Sequence, residues 1–234
     1  MLPRLSLIED LTKGSVPAGS NLLVEFDPVS QWYNAAATIA AGWLSEGGKV
    51  DYNVLAQRPE DIRSQLNRFG LDSASLEAEG KFEIIDYYMA SLGQKSTEKH
   101  GYDSLKVAEL SIAWSKGMRH GPPAPECLRI HDNVSSLARF NDDKSWTEFL
   151  LTRVIASSPI RRSTRLIGIA IGIHSEWVYK TLETAVEGVV DFRLDEVGKS
   201  TVDIVRIRSM RNVGFDRNWH QLQRNENMEV ALEK

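Results

Sequence analysis

Short apolar runs alternate with longer stretches of helical spacing along most of the chain. The runs Asn21–Phe26, Val50–Ala56, Phe82–Tyr87, Cys127–His131, Arg165–Ile173, Gly188–Leu194 and Thr201–Ile207 predict strands. They are short, rich in β-branched and aromatic residues, and bounded by turn formers. Between them, residues 32–45, 59–69, 104–117, 142–156 and 176–185 repeat apolar positions three and four apart, which predicts helices. Pro59-Glu60-Asp61 opens one of these with a first-turn proline and two acids at the positive end of the helix dipole, and Gly70 follows as its stop. Strands alternating with helices imply a parallel sheet covered on both faces.

The pattern changes near the end. "GVVDFRLDEVGKSTVDIVRIRSM" is two β-rich runs joined by a short polar turn with no helix between, which predicts an antiparallel hairpin. Residues 88–103 and 116–126 are turn-rich and predict surface loops, and the residues after 222 are polar and predict a frayed tail. The expected organisation is one domain over 1–222 with a tail over 223–234.

Composition adds limits. With 234 residues, 42% of them hydrophobic, the chain is long enough for a sizeable core and too apolar for disorder. A net charge of −4 does not mark a nucleic-acid binder, although local basic patches stay open. The single cysteine, Cys127, excludes an internal disulfide and fits a reducing, cytoplasmic setting; it reads as a small buried hydrophobe. Apolar runs such as "RLIGIAIGI" fall far short of the roughly 20 residues that span a bilayer, so no membrane partner is expected.

The stretch 21–44, "NLLVEFDPVSQWYNAAATIAAGWL", poses the chemical question. Strand, loop and helix in this order build a phosphate-binding loop, with backbone N–H groups at a helix N-terminus facing the anion. Together with Ala56-Gln57-Arg58-Pro59-Glu60-Asp61-Ile62, with "ECLRIHDNVSSL" and with "VDIVRIRSMRNVGFDRNWH", it resembles the KaiC-like branch of the RecA superfamily of P-loop ATPases. The resemblance runs from residue 1 to about 222. It implies an α/β fold: a RecA-like three-layer α/β/α domain with a mainly parallel sheet and a C-terminal antiparallel extension.

Against that family's pattern the chemistry is altered in three places. Phe26, Asp27, Pro28, Val29, Ser30, Gln31, Trp32 and Tyr33 stand on G-x-x-x-x-G-K-T. The phosphate-binding lysine is thus Trp32, the magnesium-ligating hydroxyl is Tyr33, glycines are lost at Phe26 and Gln31, and Asp27 adds a negative charge. Loss of one charge-assisted contact costs about 1.5–3 kcal/mol. The family's catalytic glutamates fall on Ala56 and Gln57, neither of which can take a proton. In the family's Lys-Met-Arg-Gly motif the lysine becomes Ser209 and the glycine Asn212, while Arg211 is kept. Asp132 matches the Walker-B aspartate and reads either as a magnesium ligand or as a strand-end residue capping the next turn.

The expectation is therefore a non-catalytic KaiC-like pseudo-ATPase, without cofactor, acting as a regulatory or scaffolding protein. Its partner would be itself or a related RecA-family subunit. The alternatives are an ATPase with an unusual site using Asp132 together with ATP and magnesium, and a recombinase-like DNA-binding paralogue. Arg206, Arg208 and Arg211 lie along one strand, where two of them, or all three with a bulge, face the same side; they are the candidate self-association surface, with Arg211 reaching an acid such as Asp27 of a neighbour. With Trp219, Arg217 and His220 they also make the basic strip of the nucleic-acid reading. Arg153, Arg161, Arg162 and Arg165 form a second basic cluster. The histidines His100, His120, His131, His174 and His220 lack the spacing of a zinc site. His174, just past an apolar run, reads as structural. Trp32 and Tyr33 read as filling space that a nucleotide would otherwise take.

Overall fold

The computed structural model describes residues 2–117, 126–157, 162–198 and 200–233. Ten strands form one sheet in the order β10-β9-β8-β7-β1-β6-β5-β2-β3-β4. β1 (Asn21–Phe26), β2 (Lys49–Val54), β3 (Phe82–Asp86), β4 (His100–Gly101), β5 (Cys127–His131), β6 (Thr164–Ala170) and β7 (Gly188–Val197) run parallel. β8 (Ser200–Met210), β9 (His220–Arg224) and β10 (Val230–Leu232) extend the β7 edge in antiparallel fashion. The parallel sheet and its antiparallel end are those expected from the pattern, and the whole is the RecA-like α/β sheet that the resemblance implies.

Every residue of β1 is buried, as a central parallel strand requires. Its alternate side chains enter two separate cores. Leu22, Val24 and Phe26 pack under α1 (Trp32–Ser45) and α2 (Pro59–Arg68). Leu23, with Ile167 and Ile169 of β6, packs under α5 (Val107–Gly117), α6 (Asp143–Phe149) and α7 (Glu176–Ala185). Arg58 takes the extended conformation demanded of a residue before proline, and Gly70 sits at φ 84° past the end of α2.

Several boundaries need correction. The loop expected over 88–103 carries a short helix, α4 (Tyr88–Ser91), and the edge strand β4. A further short helix, α3 (Ser73–Ala78), capped by Asp72 accepting from Ser75 N, has too few residues to show a period. The helix expected over 142–156 changes to π geometry at Leu150–Ile155. β6 stops at Ala170, which leaves His174 on the loop beyond it. Parts of the 116–126 loop (118–125), Arg161 of the second basic cluster and Lys199 of the hairpin turn lie outside the described residues. No helix among the described residues is long and apolar enough to cross a membrane.

The tail expected over 223–234 is wrong for residues up to 232. β9 and β10 pair through Arg224–Val230, Gln223–Ala231 and Leu222–Leu232. Val230 is buried in the core on the α1 side, and its N–H donates to Thr38 Oγ1 at 3.0 Å. With Val230 and Leu222 buried and Leu232 half-buried against the same core, the segment has too few apolar positions to register as a strand pair. Val230→Ala should lower unfolding free energy by about 1–3 kcal/mol in urea melts, as a buried truncation does; a frayed tail would leave the melt unchanged.

Candidate functional site

At the end of β1 the chain turns through Asp27–Gln31 into α1. The turn closes on itself: Ser30 N and Oγ both donate to Asp27 O, at 2.9 and 2.7 Å. No residue from 26 to 33 has positive φ, so the segment forms a tight turn without glycine. The turn is also tied to its neighbours. Asp27 N donates to Phe192 O, and Asp27 Oδ2 accepts from Leu194 N at 3.1 Å, so this carboxylate is committed to β7. Gln31 N donates to Asp203 Oδ1 of β8 at 3.0 Å. The N-terminus of α1, where partial positive charge collects, therefore already holds an anion that belongs to the chain itself. Asp203 was not singled out from the sequence, because its partner lies 172 positions away.

Trp32, in the first turn of α1, has no exposed surface. Its ring packs against Phe26 and Phe192, with centroids 6.0 and 5.5 Å away, and its Nε1 donates to Asp132 O at 2.7 Å. Gly168 of β6 makes room for this contact. A Cβ there would stand 2.4 Å from Asp132 O and 2.6 Å from Trp32 Nε1. Tyr33 lies edge-on to Phe26, and its hydroxyl accepts from Asn133 Nδ2 at 3.0 Å. Burial, followed by the nearby Asp132 charge, pushes its pKa up to about 12.

Asp132 is fully buried at the end of β5, but its carboxylate faces backbone. Oδ1 accepts from Leu55 N at 2.8 Å and Oδ2 from Ala56 N at 3.3 Å. It thus holds the turn between β2 and α2, the same turn that carries Ala56 and Gln57. Burial lifts its pKa to about 7 against the pull of those N–H groups. Tyr52, fully buried beneath, directs its hydroxyl toward the Gln57 amide, and neither Tyr52 Oη nor Gln57 Nε2 completes a hydrogen bond. Burial drives the Tyr52 pKa well above its usual value. The sequence match thus gathers Phe26, Trp32, Tyr33, Ala56, Gln57 and Asp132 into one region, while Pro28 and Val29 stay exposed at the turn's outer edge. An indole is buried in the first turn of α1, one side-chain carboxylate sits on the helix N-terminus, a second is held at Asp27, and the Asp132 carboxylate is turned onto backbone.

The arginine strip needs a correction. Arg206 Nε pairs with Asp191 Oδ2 at 2.8 Å and its guanidinium lies 4.3 Å over the Trp219 ring. Arg208 pairs with Glu25, Glu183 and Asp191, and Arg193 joins the same acids, Glu25 and Asp191. Glu25 and Asp191 are buried on the central strands β1 and β7, so Arg206 and Arg208 serve as intrachain counter-charges. Arg211 differs: it is exposed, its guanidinium donates to Thr184 O at 2.8 Å, and its backbone N–H donates to Glu187 O at 2.7 Å. Asn212 beside it adopts φ 67°, the left-handed conformation that the family's glycine would take freely and that asparagine tolerates. In the second basic cluster, Arg165 is buried in β6 while Arg153 and Arg162 are exposed, so no common surface forms.

His174 joins a relay invisible in the sequence. Its Nδ1 lies 3.1 Å from Asp143 Oδ1 and its Nε2 3.1 Å from Ser135 Oγ, while the ring stacks on Trp146 at 4.2 Å. The order Ser–His–Asp is that of a nucleophile relay, but the His174 side chain has no exposed surface. What it does is tie the loops after β5 and β6 to the start of α6. Cys127 is buried, as expected, and burial raises its pKa to about 12, which leaves the thiol unreactive.

A profile of the family described as "ATPase: KaiC" matches residues 35–230, beginning two positions beyond Tyr33. The UPF0273 protein MJ1359 of Methanocaldococcus jannaschii is 27% identical over 208 residues, covering 81% of this chain and 78% of that protein. The crystal structure of the KaiC-like protein PH0186 from Pyrococcus horikoshii OT3 superposes with a TM-score of 0.72 at 16% identity. That match covers 100% of this chain and 98% of the other, and speaks to the fold.

The buried Asp132 makes stability depend on pH. Its folded-state pKa of about 7 exceeds the ordinary 3.8, so the proton is held more tightly in the folded chain. The resulting stabilisation is complete below the unfolded value and is lost as pH rises through 7. Between pH 5 and pH 8 the native protein should lose on the order of a few kcal/mol relative to Asp132→Asn, followed by paired denaturant titrations. Parallel curves for the two proteins would show that Asp132 is ionised throughout.

Proposed function

The chain belongs to the KaiC ATPase family, and we propose that within it the protein is a non-catalytic member that acts as a regulatory or scaffolding subunit of a protein assembly. The observation that carries this reading is Trp32, buried where the family's phosphate-binding lysine stands and hydrogen-bonded to the backbone of the Walker-B aspartate. Admitting a triphosphate would require expelling the indole, displacing Asp203 from Gln31 N and placing phosphate oxygens beside Asp27. Magnesium fares no better, because it binds through a few carboxylates together with phosphate oxygens. Tyr33 supplies no short hydroxyl, and Asp132 is occupied by Leu55 and Ala56 N–H groups. Hydrolysis would further need a base at Ala56 or Gln57, and neither side chain can accept a proton.

The scaffolding half of the proposal rests on the framework that remains. The sheet, its two helical layers and the C-terminal antiparallel extension are kept, and so is an exposed Arg211 whose guanidinium donates to the Thr184 carbonyl. In this reading Arg211 meets an acid of a second subunit, either a copy of this chain or a related RecA-family protein. Asp27 is a poor choice for that acid, since its carboxylate is held by Leu194 N.

Titration calorimetry with Mg-ATP, with light scattering on the same sample, tests the proposal. The expected outcome is no binding heat, no phosphate release, and an assembly that Arg211→Glu weakens. Micromolar ATP binding, or turnover abolished by Asp132→Ala, would overturn the non-catalytic reading. A strict monomer with every tested RecA-family partner would overturn the scaffolding one.

A further inference from the structure

On the sheet face opposite α1, between α5 and the strands β2, β3 and β5, lies a cavity of about 590 Å³. That volume is in the range of small-molecule sites. Nothing in the degenerate phosphate loop reaches it, since the side chains of β2 and β5 that line it, Asp51, Asn53, Arg129 and His131, alternate with those that face α1 and α2. We infer that this cavity is a binding site for a small organic cation with a flat or aromatic body.

Three observations carry the inference. The wall is aromatic: Tyr87 and Tyr102 stack with centroids 4.5 Å apart, and Trp114 donates its Nε1 to Tyr87 Oη at 3.2 Å, which fixes all three rings. Tyr87 and Trp114 are buried, so Tyr102, half-buried and stacked on Tyr87, is the ring that offers surface to a flat cation. The charge balance is acidic. Arg129 is matched by Asp51 at 3.0 Å and Lys99 by Glu83 at 3.6 Å, while Asp103 and Glu109 at the rim take no ion pair among the described residues. Two carboxylates thus remain without a counter-charge around an aromatic cleft.

The floor holds the third observation. His131 is 4% exposed and its Nε2 has no hydrogen-bond partner. A buried polar atom without a partner carries a desolvation cost that a ligand group can offset. Burial, with Arg165 and Arg129 nearby, lowers the His131 pKa to about 3, so the ring stays neutral at physiological pH and keeps a nitrogen lone pair free to accept. In the tautomer with its proton on Nδ1, His131 Nε2 accepts from an N–H of the ligand. An amidinium or amine on a flat body meets all three features: N–H donors for the histidine, a plane for the tyrosines, and positive charge for the rim.

Benzamidine is the probe, with benzoate as its anionic counterpart of the same shape. On the full-length protein, calorimetry should show benzamidine binding at millimolar concentration and benzoate binding at least about tenfold more weakly, a difference of 1.4 kcal/mol. The His131 imidazole resonances should move on addition of benzamidine. Asp103→Asn combined with Glu109→Gln, both on exposed rim positions, should weaken benzamidine several-fold while leaving the melting temperature in place. Equal binding of benzoate, unmoved His131 resonances, an unaffected double variant or no benzamidine binding at all would each overturn the assignment.

Discussion

The hydrogen bond from Trp32 Nε1 to Asp132 O is the contact on which the centre of this molecule depends. It joins the first turn of α1 to the end of β5, and the Asp132 side chain carries the link onward to the turn after β2. Gly168 is the condition for it: any side chain at that point of β6 would drive into both partners at once. A buried indole N–H without an acceptor is costly, so the tryptophan and the aspartate carbonyl hold each other in place. The end of β1, the first turn of α1 and the end of β5 thereby form one piece of core, with Phe26 and Phe192 packed against the indole.

Charge follows the same logic of internal use. A helix N-terminus that would otherwise attract phosphate receives Asp203, and Asp27 is spent on a β7 amide. Glu25 and Asp191, placed on central strands where an ionised carboxylate is expensive, are matched by Arg193, Arg206 and Arg208. What looks in the sequence like a basic strip ready for a partner is largely the other half of buried ion pairs. Arg211, outside that network, is the residue left facing solvent.

Most of the framework was legible in the sequence because parallel strands buried on both faces leave continuous apolar runs, as in Asn21–Phe26, and helices leave a period, as in 59–69. The strand–turn–helix that carries Trp32 and Tyr33 was legible too, since an apolar run, a polar turn and a helical period follow one another there. What they do there was only half legible. That Trp32 packs in place could be expected; that its acceptor is Asp132 and its space comes from Gly168 rests on contacts 100 and more positions apart, which no local pattern encodes. The strands β9 and β10 are not legible because Leu222, Val230 and Leu232 are the few apolar residues turned inward from an otherwise polar segment. The Ser135–His174–Asp143 relay and the cavity over His131 escaped for the same reason: each gathers residues from loops or strands far apart in the chain.

The central claim is that the Trp32 indole is a permanent part of the core and occupies the place of a phosphate-binding side chain. Solvent exchange of the Trp32 indole N–H, followed by NMR with and without Mg-ATP, addresses it directly. The account predicts exchange as slow as that of the central β1 and β6 amides, with no change in rate or chemical shift on adding nucleotide. Fast exchange, or a shift that saturates with Mg-ATP, would contradict it and restore the pocket as a nucleotide site.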